Sequence, residues 1–587
     1  MSKYNLKEFN KAVKYYEMQL KRYKEKTIFI VFEATNEQAY FSLAPLSRAA
    51  HNLKCDLNVS LIQKPSKPIQ AMLEVWDAYE QLQAGVKSHV TKALREFIGL
   101  VEKKAKGEFT NIFKRPALMI DANDDCFVTN GGFDMLFQTQ WFRKYKWNEL
   151  MQTSRVVWKQ VLDLKLSERV GIGFDLIARA EDIKDPLEDY LDSYAIARTM
   201  YLGCPAKKKT MKSATHRKSM LAKGERIGEL SATLLGCELS KDINEPIFRK
   251  FKILSRLLKL DRIGTNDASF FVSGEGYGGK HLFGEKIGYP TPNRKSRWDS
   301  PGGIVYQLPW YPQTKLDSRP PFARVAFTST VPIDKYVESC NIDWMKMKRI
   351  DDKLIALVNK SEKIFVESKK TNLEVGLVGK NGQRRMPLNS DVDTRTKLDP
   401  LYLKKGIKAG TMANVPGGEM FFTPEYIKGT FYGDVVISID KSHVLNSKDP
   451  LVIKCMGNKY DIVRGPKKVI AQLKKKRNES MKMLKLQEKS KSLPKEIIAL
   501  KKSNFLNIGE FAINTNPRAS LCNYLIVNEK IAGMMHIALG SGFEPDRAGL
   551  YHYDVVINAK EQKLDIYGVG KKGEKHWLMK KGKLAVK

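Results

Sequence analysis

Two histidines and three carboxylates in the last third of the chain are the residues best suited to chemistry. His552 and Asp554 stand two positions apart in Tyr551-His-Tyr-Asp-Val-Val-Ile557, a segment that the sequence predicts to be a strand. Residues two apart project from the same face of a strand, so this imidazole and carboxylate can converge on one point. Nitrogen and oxygen donors of this kind suit zinc, cobalt or manganese. Taken alone, the same spacing also fits a hydrogen-bonded pair on the surface.

The other three candidates stand in apolar surroundings. His536 lies within the apolar segment 531–543, Glu419 precedes Met-Phe-Phe, and Glu510 precedes Phe-Ala-Ile. A buried histidine needs a partner, and a buried carboxylate is costly unless it binds a cation or a hydrogen-bond donor. A core histidine bonded to a backbone carbonyl would explain His536 by itself. Two such acids together with two histidines favour a metal site.

These segments resemble, in the same order, the motifs of the aminopeptidase T and aminopeptidase S family, the thermophilic-type, leucyl aminopeptidase-like metallo-aminopeptidases. Asn414-Val-Pro-Gly-Gly-Glu419-Met-Phe is similar to the family's Asn-x-Pro-x-Glu-Glu-Val-Phe, and Ile508-Gly-Glu510-Phe-Ala to its Leu-Gly-Glu-Val-Ala. His536-Ile-Ala-Leu-Gly matches its His-Ile-Ala-x-Gly, and His552-x-Asp554 matches its His-x-Asp strand. The resemblance covers residues 342–587 and, weakly, the opening near residues 27–62.

This resemblance implies a function, a cofactor and a set of ligands. It implies an aminopeptidase that removes N-terminal residues from peptide substrates by means of a pair of divalent metal ions, zinc, cobalt or manganese. It also implies a homodimer. The residues that would hold the ions are Glu419, Glu510, His536, His552 and Asp554.

Two departures from the family pattern bear on activity. The family carries a metal-site tyrosine after its His-Ile-Ala motif, where this chain has Phe543. Either Tyr551 or Tyr553 substitutes for it, or the site is altered. The interval between Glu419 and Glu510 is also longer than in the family, and the lysine-rich, helical segment 466–503 is interpreted as an insertion.

The alternative to an enzyme is a catalytically altered or inactive relative that binds nucleic acid or peptides through its basic surface. The chain carries a formal net charge of +36, which attracts polyanions. Lysine outnumbers arginine and is spread along the whole chain, a distribution that favours a solvated basic surface over specific nucleic-acid recognition. Nucleic acid is therefore a possible partner that the sequence does not favour.

The elements that position these residues predict an α/β protein of two domains. Residues 1–340 are predicted to form a parallel-sheet α/β domain, because strands at 27–32 and 56–62 alternate with helical spacing. Helical and Gly/Pro-rich extensions follow, and the basic segment 207–218 is predicted to be an exposed loop. Residues 341–587 are predicted to form a strand-rich α+β metallopeptidase domain.

Other features narrow the protein class. The segment Gly274-Glu-Gly-Tyr-Gly-Gly279-Lys280 falls short of a phosphate-binding loop, because His281 replaces the required Ser or Thr. The acidic turn 121–125 fits a strand-to-helix connection better than a cation site. Seven dispersed cysteines without a Cys-x-x-Cys pair predict reduced thiols. With no signal-peptide pattern and no long apolar run, a cytoplasmic location without a membrane partner is expected.

Overall fold

The structure, a computed structural model, describes the chain in segments that form two compact units. Among the described residues, the first unit comprises those up to 158 and those from 163 to 273, and the second comprises 159–162 and everything from 324 onward. The domain boundary predicted between residues 340 and 341 stays a prediction. The described residues are 6–32, 45–46, 48–50, 52–61, 66–105, 117–121, 147–175, 186–206, 208–214, 268–273, 324–329, 331–379, 382–390, 412–439, 441–489, 495–542, 545–547 and 549–586.

The first unit contains a mixed sheet in the order β6-β4-β5-β2-β1-β3. Strand β1 runs parallel to β2 and β3, and β4 runs parallel to β5 and β6, whereas β2 and β5 are antiparallel. Ile28 and Ile30 of the apolar run in β1 are buried, and because residues two apart project from the same face, this face of the strand is covered. The strands are β1 (Thr27–Phe32), β2 (Asp56–Leu61), β3 (Leu118–Asp121), β4 (Arg169–Asp175), β5 (Lys208–Ala214) and β6 (Ala268–Ser273).

The first unit also contains helices, and the first of them has the amphipathic spacing expected from the sequence. On the first of them Val13, Tyr16 and Leu20 are buried, one helical turn apart. The helices are α1 (Leu6–Leu20), α2 (Ser66–Gln83), α3 (Lys92–Ala105), α4 (Trp147–Val156) and α5 (Pro186–Gly203).

Two features of this unit differ from the predictions. The sheet is mixed rather than parallel, because β2 and β5 pair in the antiparallel direction. The basic segment 207–218 was expected to be an exposed loop, yet residues 208–214 form strand β5, paired on both sides. Ladder hydrogen bonds join backbone groups, so a lysine-rich segment can pair between two strands although its side chains have low strand propensity. Residues 122–125 of the acidic turn and residues 274–281 of the glycine-rich segment lie outside the described residues.

The second unit opens with strand β7 (Arg324–Ser329), helix α6 (Ile333–Cys340) and helix α7 (Trp344–Asn359), and β7 pairs in parallel with β11 (Met412–Asn414). An antiparallel eight-stranded sheet has the order β17-β16-β13-β9-β8-β21-β22-β23. Its strands are β8 (Lys363–Glu367), β9 (Asn372–Gly376), β13 (Tyr426–Gly433), β16 (Leu451–Gly457), β17 (Lys459–Arg464), β21 (Asp565–Val569), β22 (Lys575–Lys580) and β23 (Lys583–Leu584).

An antiparallel seven-stranded sheet of the same unit has the order β10-β12-β18-β19-β20-β14-β15. The two sheets share one apolar core, to which the first contributes Ile364 and Val366 and the second contributes Phe511 and Ile537. One face of the seven-stranded sheet is therefore committed to the core. Its strands are β10 (Leu388–Asn389), β12 (Glu419–Phe422), β14 (Val436–Ser438), β15 (Ser442–Val444), β18 (Ile508–Asn514), β19 (Met535–Gly540) and β20 (His552–Ile557).

Two helices occupy the predicted lysine-rich segment. They are α8 (Lys467–Lys489) and α9 (Lys495–Ser503), and they meet through buried Leu484 and Ile498. The lysines of α8 that are exposed are Lys467, Lys468, Lys474, Lys475, Lys482, Lys485 and Lys489. A short helix, α10 (Leu525–Asn528), completes the second unit. None of the helices in the described residues has the length and apolar character that crossing a bilayer requires.

Candidate metal centre

Four adjacent strands of the seven-stranded sheet carry the five predicted ligands. The strands are β12, β18, β19 and β20, which supply Glu419, Glu510, His536, and His552 with Asp554, respectively. Their neighbours in sequence, Met420, Phe511, Ile537, Tyr553 and Val555, belong to the core between the sheets. Because side chains alternate along a strand, all five ligands lie on the face turned away from that core.

Small residues between the ligands leave space for them to converge. Ala538 pairs with Glu510 on one side and with Asp554 on the other, and Ala512 pairs with His536. A larger side chain at either alanine would occupy the space between neighbouring ligands. The five ligands are almost completely buried, with between 1% and 5% of each residue exposed.

The Glu510 carboxylate joins two groups of ligands. Its Oε1 lies 3.2 Å from His536 Nε2, and that nitrogen lies 3.6 Å from Glu419 Oε2. Its Oε2 lies 3.3 Å from His552 Nε2, and that nitrogen lies 3.2 Å from Asp554 Oδ1. We call Glu419, Glu510 and His536 the first group, and Glu510, His552 and Asp554 the second group. In each group the three donor atoms lie within 4.8 Å of one another, close enough to hold a metal ion.

Hydrogen bonds at the far side of each imidazole fix the direction in which the ligand nitrogen points. His552 Nδ1 lies 2.7 Å from the Ser541 carbonyl oxygen, and His536 Nδ1 lies 2.8 Å from Asn514 Oδ1. Both oxygens are acceptors, so each Nδ1 carries the proton and, in a neutral ring, each Nε2 presents a lone pair to the carboxylates. This is the arrangement by which proteins orient metal-binding histidines.

Unpaired acceptors in the centre test whether the residues fit a metal. Glu419 Oε2 and both oxygens of Asp554 are buried, and they have no hydrogen-bond partner within the described part of the chain. Burying such oxygens without a donor is costly. A divalent cation would satisfy them, and a set of three carboxylates and two imidazoles suits zinc, cobalt or manganese. The residues therefore fit the implied group.

The electrostatics of the centre are dominated by its carboxylates. Burial alone would lower the pKa of His536, but the hydrogen bond to Glu510 and the surrounding acids raise it to about 9. The pKa of His552 is raised in the same way, against the effect of burial, by Asp554 and Glu510. Burial would raise the pKa of Asp554, yet the two histidines lower it. A field that holds protons on buried imidazoles also attracts a divalent cation.

The structure adds two ionisable residues that sequence reasoning missed. Lys530 is fully buried, and its Nζ lies 2.5 Å from Glu419 Oε1 and 2.7 Å from Glu529 Oε1. Burial would lower the pKa of Lys530, but the two carboxylates raise it. Burial raises the pKa of Glu529 to about 8. The signal in the sequence was a pair of adjacent charges inside an apolar stretch, since Leu-Ile-Val precedes Asn528-Glu-Lys and Ile-Ala follows it.

The tyrosines proposed as substitutes do not join the ligands. Tyr551 and Tyr553 stack on each other with ring centroids 4.9 Å apart, and both belong to the core between the sheets. The Tyr551 hydroxyl donates to the Phe505 carbonyl and lies 2.9 Å from the Tyr460 hydroxyl. Strand alternation turns both rings away from the ligand face, and the prediction that either a tyrosine substitutes or the site is altered stays a prediction. Phe543 lies outside the described residues.

A tight turn before β12 sets the position of Glu419. Gly418 has a φ of +118°, its N–H donates to Ser390 Oγ at 2.7 Å, and its carbonyl accepts from the Thr515 N–H at 2.9 Å. A Cβ at this position would lie 2.7 Å from the Asn516 side chain and 2.7 Å from the Met347 sulfur. Glycine is therefore required both by the backbone conformation and by the space.

We expect Gly418→Ala to lower the free energy of unfolding by about 2–5 kcal/mol, the sum of roughly 1–2 for the backbone conformation and roughly 1–3 for the overlap. Urea unfolding measures this. Gly457→Ala is the matched control, because Gly457 also has a positive φ of +76° but no atom lies within 4 Å of its would-be Cβ. Equal losses in the two variants would show that the space around residue 418 does not matter.

Comparisons with known proteins do not show to which family this chain belongs. No protein-family model matches the chain, and no curated protein matches it. Among solved structures, wild-type AmpT from Thermus thermophilus is similar with a TM-score of 0.39 and 12% sequence identity, over 75% of this chain and 99% of that one. A likeness of this size leaves the function to be argued from the centre itself.

Proposed function

We propose that the protein is a metal-dependent aminopeptidase that hydrolyses N-terminal residues from peptides, with two divalent metal ions held by Glu419, Glu510, His536, His552 and Asp554. The observation that carries the proposal is the Glu510 carboxylate, which directs one oxygen to each of two buried groups of ligands. A carboxylate shared in this way suits a pair of ions. The choice of peptides with a free amino terminus rests on the motif resemblance.

The side chains of the centre have distinct roles in this proposal. When bound, a pair of divalent ions polarises the scissile carbonyl and lowers the pKa of water to a usable value. Glu510 links the two groups, while Glu419 and Asp554 each complete one of them. Ser541 and Asn514 keep the two imidazoles in the orientation that presents Nε2. Burial of the whole set limits competing water and strengthens every charge interaction.

Glu529 is the strongest candidate for moving a proton within this centre. It lies beside Lys530, and burial brings its pKa to about 8, near the value that suits a general acid or base at neutral pH. Neither Tyr551 nor Tyr553 is available for that role on the ligand face.

Metal addition tests the proposed function. Protein stripped of metal by a chelator should release amino acids from unblocked peptides only after zinc, cobalt or manganese is added, and should not attack the same peptides with an acetylated amino terminus. Glu419→Ala and His552→Ala should each lower this activity by at least about a hundredfold, because each removes a direct ligand. Rate assays with elemental analysis of the same samples measure both.

The other possible outcomes would each indicate a different function for this protein. Full activity in either variant would overturn the metal-dependent mechanism. Bound metal without hydrolysis would indicate a peptide-binding relative that has lost activity. Nucleic-acid binding that weakens steeply with salt and survives both substitutions would indicate the basic binding protein instead.

A further inference from the structure

Lys530 is a buried cation at the edge of the candidate centre, outside the five-ligand set. Its side chain is completely buried, and its two ion-pair partners are Glu419 at 2.5 Å and Glu529 at 2.7 Å. Lysine is rarely buried unless it is paired, so its position needs an explanation. The contact with Glu419 is specific to one oxygen: Nζ meets Oε1, while Oε2 lies 3.6 Å from His536 Nε2.

Hydrogen bonds of Asn516 tie the Lys530 segment to the turn before Glu419. The Lys530 carbonyl accepts from the Asn516 N–H at 2.9 Å, and the Ala532 N–H donates to the Asn516 carbonyl at 3.0 Å. The Asn516 side-chain amide donates to the Gly417 carbonyl at 2.8 Å, in the turn that leads to Glu419. Asn516 thus holds Lys530 and Glu419 close together, although the two residues are far apart in the sequence.

We propose that Lys530 is a positioning residue that holds Glu419 Oε1 and thereby directs Glu419 Oε2 into the first group of ligands. The inference rests on the proposed function, since it assigns Lys530 a role in holding an ion at that group. Without the ammonium, the Glu419 side chain has no donor on its outer oxygen and can rotate away from His536. Loss of a partner that orients a metal ligand typically lowers metal affinity by about 10–100-fold.

Charge alone predicts the opposite result. An ammonium group repels a neighbouring cation, so its removal would strengthen metal binding if Lys530 acted only through its charge. The direction of the change therefore separates positioning from simple repulsion.

The experiment measures zinc affinity by competition with a chromophoric chelator in two backgrounds. Asp554→Asn disables the second group, so the remaining ion reports on the first group. In that background Lys530→Met, a side chain of similar length without charge, should weaken zinc binding about 10–100-fold. Glu419→Gln disables the first group, and there Lys530→Met should change zinc affinity by less than about threefold, because the positioned carboxylate is already lost.

Two further variants control for misfolding and for the general effect of replacing a buried lysine. Lys501→Met is the matched control, since Lys501 is also a buried lysine but lies on α9 rather than at the ligand sheet. It should leave zinc affinity within about threefold of the parent. Should Lys530→Met fail to fold, Lys530→Gln takes its place, and we expect at least about tenfold weaker binding because an amide donates a weaker hydrogen bond to a carboxylate.

The outcomes distinguish this inference from the proposed function. Unchanged or tighter zinc binding in Lys530→Met, in a protein that binds two ions and hydrolyses peptides, overturns the positioning role alone. Equal weakening in both backgrounds also overturns it, since the effect would not pass through Glu419. A wild-type protein that binds no zinc overturns the proposed function, and the positioning role with it.

Discussion

Replacing Glu510 by glutamine should remove both metal ions and reduce peptide hydrolysis by on the order of a thousandfold or more. Glu510 directs one carboxylate oxygen to each group of ligands, so its loss weakens both at once. Glutamine has nearly the same shape but no negative charge, and its amide nitrogen cannot act as a ligand for a cation. Elemental analysis after dialysis gives the metal content, and an initial-rate assay on an unblocked peptide gives the activity.

Two controls make this result specific. Asp554→Asn affects only the second group and should leave about one ion per chain. Glu374→Gln makes the same chemical change on the eight-stranded sheet, where Glu374 accepts from the Tyr426 hydroxyl, and should keep both ions. A Glu510→Gln protein that retains two ions would show that this carboxylate is not shared between them.

Metal binding should also raise the stability of the second unit strongly. Four acidic side chains, Glu419, Glu510, Glu529 and Asp554, are buried around the centre, and in the absence of metal they are balanced by Lys530 and by protons held on the two imidazoles, which a divalent cation replaces. A ligand that binds the folded state alone, at about a thousandfold above its Kd, contributes about 4 kcal/mol. We therefore expect zinc to raise the midpoint of thermal unfolding and a chelator to lower it.

The response to zinc should vanish in Glu510→Gln, which serves as the control for zinc bound elsewhere. Unfolded chains also bind metal through histidine and cysteine, which reduces the shift but not its dependence on Glu510. An equal rise in wild type and Glu510→Gln would mean that zinc stabilises the protein at some other place.

Local patterns in the sequence predicted much of the site. The spacing of His552 and Asp554 predicted their common face correctly, because strand alternation depends on neighbours two residues apart. Glu419 and Glu510 were found because acids in apolar segments are costly and therefore informative. The lysine-rich helices α8 and α9 matched their predicted segments for a similar reason, since helical spacing is local.

Features that depend on contacts between distant parts of the chain could not be predicted from the sequence. Strand order in the seven-stranded sheet depends on pairings between residues about a hundred positions apart, such as Glu419 with Asn514 and Ile437 with Val555. Lys530 was missed because its distant partner Glu419 comes beside it only when β12 and the segment after α10 are brought together. Tyr551 and Tyr553 flank His552 in sequence, but strand alternation places their rings on the opposite face, in the core between the sheets.

The location of bound metal tests the central claim most directly. Crystals grown with zinc and measured at the zinc absorption edge should give two anomalous peaks per chain, one on each side of the Glu510 carboxylate, within bonding distance of His536 and of His552. Peaks at other places, or none in the presence of zinc, would contradict the assignment of these five side chains to a metal centre.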